Sequence, residues 1–349
     1  MGKKAELEKG IIAGKWIEGF IKVNNHNIPK VSTRLRKGDI ISGWFVRWDI
    51  NRMNYKIKEG LYAVGNPDKG SVVFVTANYK LTFDKLRKEL NGINAWIVVL
   101  DTKGINVWCA AGKGTFGTQE LIKRIHEVKL KEIVTHRKLI LPQLGASGVS
   151  AHIVKKASGF TVQYGPVKAK DIKIYINNNF KKTERMKEVR FRLIDRLILI
   201  PVELVNILIY IVIGLVVIFL IDFIKYGSIN INFILNSILF IGSVFAGCIF
   251  TPLLLPYIPF RSFALKGFLI GLIWVILASI VIDKSLIYII SNILLLTPFS
   301  SFLALNFTGS STYTSISGVK LEVKIASPIM IISLLCGLIL KIFAEFNII

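Results

Sequence analysis

The stretch Ala95-Trp96-Ile97-Val98-Val99-Leu100-Asp101, followed by Asn106-Val107-Trp108-Cys109-Ala110-Ala111-Gly112-Lys113, decides how this chain is read. Six apolar residues ending in an aspartate predict a buried strand. Gly104, Gly112, Gly114 and Gly117 surround Cys109, and the pattern predicts a helix starting near Thr118. The result is a strand, a glycine-rich turn carrying a thiol, and a helix. In open α/β sheets ligands bind beyond the carboxyl ends of the strands, where such turns sit. A thiol there can act as a nucleophile or as a soft metal ligand. An inert loop or core thiol remains the plainer alternative. Trp108 can cover a planar cofactor or anchor a core.

Outward from this point, strand and helix signals alternate. Ser71–Thr76 predicts a strand and Thr82–Leu90 a helix with Thr82 as N-cap. Thr118–Val128 is helical, with Leu121, Ile122 and Ile125 on one face and Glu120 in the first turn. Lys138–Leu141 is a strand, Val149–Ala157 a helix ending at Gly159, Phe160–Tyr164 a strand and Asp171–Asn177 a short helix. Strands separated by helices of this length predict a doubly wound, mostly parallel α/β sheet.

The chain is unevenly charged. Residues 1–196 hold 38 of the 45 Lys and Arg and 17 of the 22 Asp and Glu, a net charge of +21, whereas residues 197–349 net +2. The mean hydropathy of +0.55 is too high for an ordinary soluble protein and comes from the second half. There, five segments near 197–221, 229–250, 263–282, 286–305 and 325–343 approach the ~20 apolar residues needed to cross a bilayer. Arg185, Lys187, Arg190, Arg192 and Arg196 precede the first; alternate loops carry Arg261 and Lys266, then Lys320 and Lys324, against Lys225 and Lys284 on the other side. This bias predicts a cytoplasmic front half and an outside C-terminus. No secretory signal opens the chain. Glu203 and Asp222 stand near the ends of the first segment, and the Pro252–Pro256 and Pro259 cluster reads as a loop or a broken helix.

Several chemistries are disfavoured. Gly112-Lys113-Gly114-Thr115 resembles a piece of a phosphate loop, but Val107 stands where its first glycine belongs. Three cysteines without a CxxC pair, and scattered His126, His136 and His152, give no zinc or iron–sulfur spacing. Cys248 and Cys336 lie in apolar segments and read as small buried hydrophobes. The basic charge is spread without a nucleic-acid-binding motif, so nucleic acid is not expected as a partner. A positive field near anionic lipid accounts for much of it.

The segment Asn106–Lys113 resembles the cap-helix motif of the corrinoid proteins of microbial mercury methylation. Pro29–Leu35, Gly60–Pro67, Val75–Lys80, Leu100–Gly104, Pro142–Gly145 and Tyr164–Pro166 resemble that family too, and the likeness is dense over 29–205. It implies a domain like that of the corrinoid iron–sulfur proteins of the acetyl-CoA pathway, tethered to a membrane. It implies a corrinoid (cobalamin) cofactor with Cys109 as lower axial ligand of cobalt. It also implies a ferredoxin-type reductase partner with a 4Fe–4S cluster, a methyl-tetrahydrofolate-type methyl donor, and Hg(II) as acceptor, giving methylmercury.

The expected organisation is a basic extension (1–28), a cytoplasmic corrinoid-binding α/β domain (29–182), a juxtamembrane linker (183–196) and an all-α domain of about five spans in the inner membrane (197–349). The expected cofactor contacts are Asn106, Val107, Trp108, Cys109, Ala110, Ala111, Gly112, Lys113, Gly114 and Thr115. Thr76, Asn78, Gln143, Gly145, Tyr164 and Gly165, in loops after neighbouring strands, complete the set. Gly145 is attractive because a side chain there would block close approach of the cofactor. A methyl carrier with another acceptor, and a membrane transporter or sensor with a ligand-binding domain, are the competing readings.

Overall fold

The computed structural model describes residues 14–24, 26–282, 285–311, 313–314 and 316–345. Most of the basic extension's start, and Lys284 of the loop bias, lie outside these residues. The chain forms two units. One contains residues 1–46 and 50–189; the other contains 190–349, with which 47–49 group.

The first unit is a seven-stranded sheet in the order β1-β2-β3-β5-β4-β6-β7. Its strands are β1 (Ile17–Val23), β2 (His26–Val31), β3 (Gly60–Val64), β4 (Val72–Ala77), β5 (Ala95–Leu100), β6 (Lys138–Leu141) and β7 (Thr161–Tyr164). Its helices are α1 (Lys37–Arg47), α2 (Lys80–Glu89), α3 (Val107–Gly112), α4 (Thr118–Glu127), α5 (Leu130–Ile133), α6 (Ala151–Ser158), α7 (Ile172–Asn177) and α8 (Glu184–Lys187).

β4 runs parallel to β5 and β6, β6 parallel to β7, and β2 parallel to β3, but β3 is antiparallel to β5 and β1 to β2. The sheet is therefore mixed at one edge and parallel around β5-β4-β6-β7. Every residue of β5 is buried, as expected of a strand covered on both faces. Val73, Val75 and Ala77 pack with Leu121, Ile125 and Val154 on one face, while Phe74 packs with Phe83, Leu86 and Tyr175 on the other. The edge hairpin brings Trp16 into the core, so the sheet begins ahead of the boundary read at residue 29.

α2 starts at Lys80 with Tyr79 in the N-cap position, three residues before the expected cap Thr82. The shift has a cause. Lys80 Nζ bonds Asp84 at 2.6 Å and Asp39 at 2.7 Å, and Arg87 bonds Asp84 at 2.8 Å and Asp39 at 2.9 Å. Lys80, Asp84 and Arg87 are buried, and this four-charge network fastens α1 to α2.

The second unit is helical: α9 (Leu193–Leu197), α10 (Ile200–Tyr226), α11 (Ile231–Phe245), α12 (Thr251–Leu254), α13 (Phe263–Ile282), α14 (Leu286–Asn306) and α15 (Ile316–Glu345). Five helical stretches are long and apolar enough to cross a membrane: Leu193–Tyr226, Ile231–Leu254, Phe263–Ile282, Leu286–Gly309 and Ser317–Ala344. Small residues allow their close packing. A Cβ on Gly267 would fall 2.5 Å from the Ser300 carbonyl oxygen, and the Ser300 hydroxyl donates to the Gly267 carbonyl at 2.7 Å. The Pro252 region is not a simple loop. A π-helical turn over Ala246–Phe250 runs into α12, and Arg196 donates to the carbonyls of Pro252 and Leu253.

Candidate functional site

A cleft of about 340 Å³ opens at the carboxyl ends of β4 and β6. From β4 the chain moves to β5 on one side, then returns past β4 to β6 on the other, so the cleft sits where strand order reverses. This is the place where doubly wound sheets hold ligands. Thr76 and Phe74 come from β4, Ile140, Leu141, Pro142 and Leu144 from β6 and its loop, and Gly165, Pro166 and Val167 follow β7. Thr82, Lys85 and Leu86 of α2, Ala169, Ile172, and the segment Asn106–Trp108 complete the lining.

Cys109 lies on a helix, not in the glycine-rich turn predicted for it. Val107–Gly112 forms α3, and Asn106 caps it: the Asn106 Oδ1 accepts from the Cys109 backbone N–H at 2.9 Å. Val107, Ala110 and Ala111 face the core, which turns Trp108 and Cys109 outward. Trp108 is 45% exposed, so it reads as a cover over the cleft and not as a core anchor. Cys109 is exposed beside it. The helix ends through Lys113 and Gly114, the latter at φ +80°, and the chain returns into the core at Phe116, whose N–H donates to the Ala110 carbonyl.

Of the sixteen expected contacts, Thr76, Asn106, Val107, Trp108 and Gly165 line the cleft. Cys109, Gly112, Lys113 and Gly114 stand exposed on or just after α3. Ala110 and Ala111 are core residues. The Thr115 hydroxyl reaches back to the Ala110 carbonyl at 3.4 Å.

The remaining four are committed elsewhere. Asn78 is buried; its Oδ1 accepts from Thr102 N–H and Oγ1 and from Gly104 N–H, and its amide donates to Asp101. It builds the Asp101–Gly104 turn that leads into α3. Burial works to raise the Asp101 carboxyl's pKa, but bonds from Lys103 and Asn78 hold it below the ordinary range. The Tyr164 hydroxyl donates to the Val149 carbonyl at 2.6 Å, and burial raises its pKa. The Gln143 amide oxygen accepts from Lys182, whose ammonium is shifted down by burial and by Lys187. Gly145 is buried against Phe116 and does not line the cleft.

Sequence reasoning read Thr82 only as a helix cap and did not single out Lys85. Both lie on α2, the helix that follows β4, and that position is the available signal. Among the described residues no group of three or more His, Cys, Asp or Glu side chains is placed to hold a metal ion.

Residues 51–176 match the family described as CO dehydrogenase/acetyl-CoA synthase delta subunit. That segment holds β3 to β7, α3 and all of the cleft residues. The chain is also similar to the gamma subunit of the acetyl-CoA decarbonylase/synthase complex of Archaeoglobus fulgidus, 31% identical over 135 residues, covering 38% of this chain and 28% of that one. The corresponding subunit of Methanocaldococcus jannaschii is 31% identical over 128 residues, 36% of this chain and 26% of that one. Gamma subunit 2 of Methanosarcina thermophila is 40% identical over 91 residues, 25% and 19% respectively. The matched segments thus span 28% or less of these relatives' lengths.

Proposed function

We propose that this chain is a membrane-anchored corrinoid protein that takes a methyl group from a methylated pterin donor and passes it to Hg(II). One observation carries the reading: an exposed thiol, Cys109, on a short capped helix at the rim of the cleft where strand order reverses. Supporting it are the resemblance of Asn106–Lys113 to the mercury-methylation family and the match of the surrounding sheet to acetyl-CoA pathway subunits.

The residues present fit a corrinoid. A protein-caged metal needs several converging donors, whereas a corrinoid would carry its metal in its own ring and ask the protein for a single donor. The outward thiol of Cys109 is a soft donor suited to that role. The mostly apolar cleft has Gly165 in its lining, where the backbone can be approached closely. When bound, the corrinoid would supply the metal centre that accepts and releases the methyl group.

The chain's own part is positional. Cys109 would hold the metal through its thiolate. Asn106 caps the helix that carries it, and Asn78 fixes the loop before that helix. Trp108 covers the cleft and keeps water away. The five membrane-length helices would anchor the domain at the inner membrane, and a ferredoxin-type protein would return the metal to its reduced state.

The relatives' membership of an acetyl-CoA complex favours a second reading, a methyl carrier with a different acceptor. Anaerobic reconstitution with cobalamin and an ultraviolet–visible spectrum test the shared part of both readings. A thiolate-ligated spectrum supports it; absence of corrinoid uptake overturns it. Methylmercury formation from Hg(II) and a methyl donor then separates the two acceptors.

A further inference from the structure

α1 is amphipathic in the reverse of the usual sense. Its inner face is made of Asp39, Ser42, Gly43 and Val46. Asp39 bonds Lys80 and Arg87, Ser42 Oγ bonds the Tyr55 hydroxyl at 2.7 Å, and Val46 packs on Tyr55 and Tyr79. Helical spacing puts Ile40, Ile41 and Trp44 together on the other side. They are 45%, 49% and 54% exposed, and Ile50 and Met53 continue the patch at 46% and 71%. A surface helix normally turns such residues inward. Here the charge network holds them out.

Arg34, Arg36 and Lys37 lie at the start of this patch and Arg47 and Arg52 at its far end. Two outward isoleucines, a tryptophan and flanking cations are the composition of a helix that lies in a membrane interface. We propose that α1 docks on the anionic lipid surface, with Ile40, Ile41 and Trp44 in the headgroup–acyl boundary and the arginines and lysine at the phosphates. A second copy of this chain is disfavoured, because pairing the patch with itself would bring the cations together. The proposal rests on the membrane reading above, and it adds a contact from the sheet unit to the leaflet.

Full-length protein in lipid nanodiscs, with and without phosphatidylglycerol, tests it. A photoreactive benzoylphenylalanine is placed at Ile40, at Lys88 on α2 as an aqueous control, and at Ile213 in α10 as a membrane control. The Ile40 probe is expected to give phospholipid adducts several-fold above the Lys88 probe, rising with phosphatidylglycerol. Arg36→Gln with Lys37→Gln should flatten that rise. Lipid adducts at Ile213 but not at Ile40 would overturn this inference alone. Absence at both would overturn it together with the membrane reading. Crosslinks from Ile40 to a second copy or to another protein would replace lipid as the occupant. A second probe at Trp44 must give the same answer, which guards against a local fault in one variant.

Discussion

The Asn106 side chain accepts a hydrogen bond from the Cys109 backbone N–H at 2.9 Å, so the residue that starts α3 also fixes the residue that carries the thiol. The two functions separate by mutation. Cys109 is exposed, so Cys109→Ala should leave thermal stability nearly unchanged while abolishing mercury methylation and altering the cobalt spectrum. Asn106→Ala should keep the thiol but cost about 1 kcal/mol, as lost caps do. Thermal unfolding and the spectrum of both variants check this. A wild-type spectrum in Cys109→Ala would remove the axial-ligand role.

The ring of Phe116 occupies the space that a side chain on Gly145 would need. A Cβ there falls 2.5 Å from Phe116 Cε1, and Phe116 is fully buried. The close approach that the structure shows at Gly145 is to a core ring. Gly145→Ala should therefore destabilise the corrinoid-free protein by about 1–3 kcal/mol, the usual cost of overpacking. Urea unfolding without corrinoid measures it. Unchanged stability with weakened corrinoid uptake would restore the original reason for the glycine.

What the sequence disclosed followed from periodicity and position. Ala95–Leu100 and Lys138–Leu141 are apolar runs of strand length, and both strands end where predicted. The β1–β2 hairpin is absent from the sequence reading although β1 alternates half-buried Ile17, Ile21 and Val23 with exposed Glu18 and Lys22, because β1 lies ahead of Pro29, where the family resemblance begins. α3 reads as a turn because its six residues make fewer than two helical turns, too few for an apolar periodicity to show; the cap at Asn106 is the readable signal. Asn78 follows β4, and Tyr164 is the last residue of β7. Their hydrogen-bonding capacity is spent on Thr102, Gly104 and Val149, and such partners come from distant sequence that no local pattern reports.

The network around Asp39 predicts acid sensitivity. Burial works to raise the Asp39 carboxyl's pKa, but hydrogen bonds from Lys80 and the Arg36 N–H, with Arg87 nearby, hold it below the ordinary value near 3.8. A depressed carboxyl stabilises the fold above its unfolded value and stops doing so as pH falls through the lower folded value. Asp39→Asn should thus be less stable than wild type at neutral pH, and the gap should narrow as pH drops below about 4. Urea midpoints across that range test the sign. A gap constant with pH would mean that the carboxylate's charge contributes nothing.

Topology is open to direct measurement. Five membrane-length helices and a basic front half predict an inside N-terminus and an outside C-terminus. A cysteine engineered after Phe346, with the native cysteines replaced, should react with an impermeant maleimide in intact cells. Labelling only after lysis would require an even number of crossings or the opposite orientation.

The division of labour between the two units gives the last test. The matched segment, the cleft and Cys109 all fall within residues 51–176, and the sheet unit has its own two-faced core. The lining residues of the cleft run from Phe74 to Ile172, within the sheet unit. Residues 1–189 alone should therefore fold, take up cobalamin under reducing, anaerobic conditions and place Cys109 on the metal. Methylation in cells should still fall on truncation, because tethering raises the effective concentration of membrane-held partners. Circular dichroism establishes the fold and the cobalt spectrum reports uptake. A folded fragment that takes up no corrinoid would mean that the helical unit helps to form the cofactor site, and anchoring would no longer describe its role.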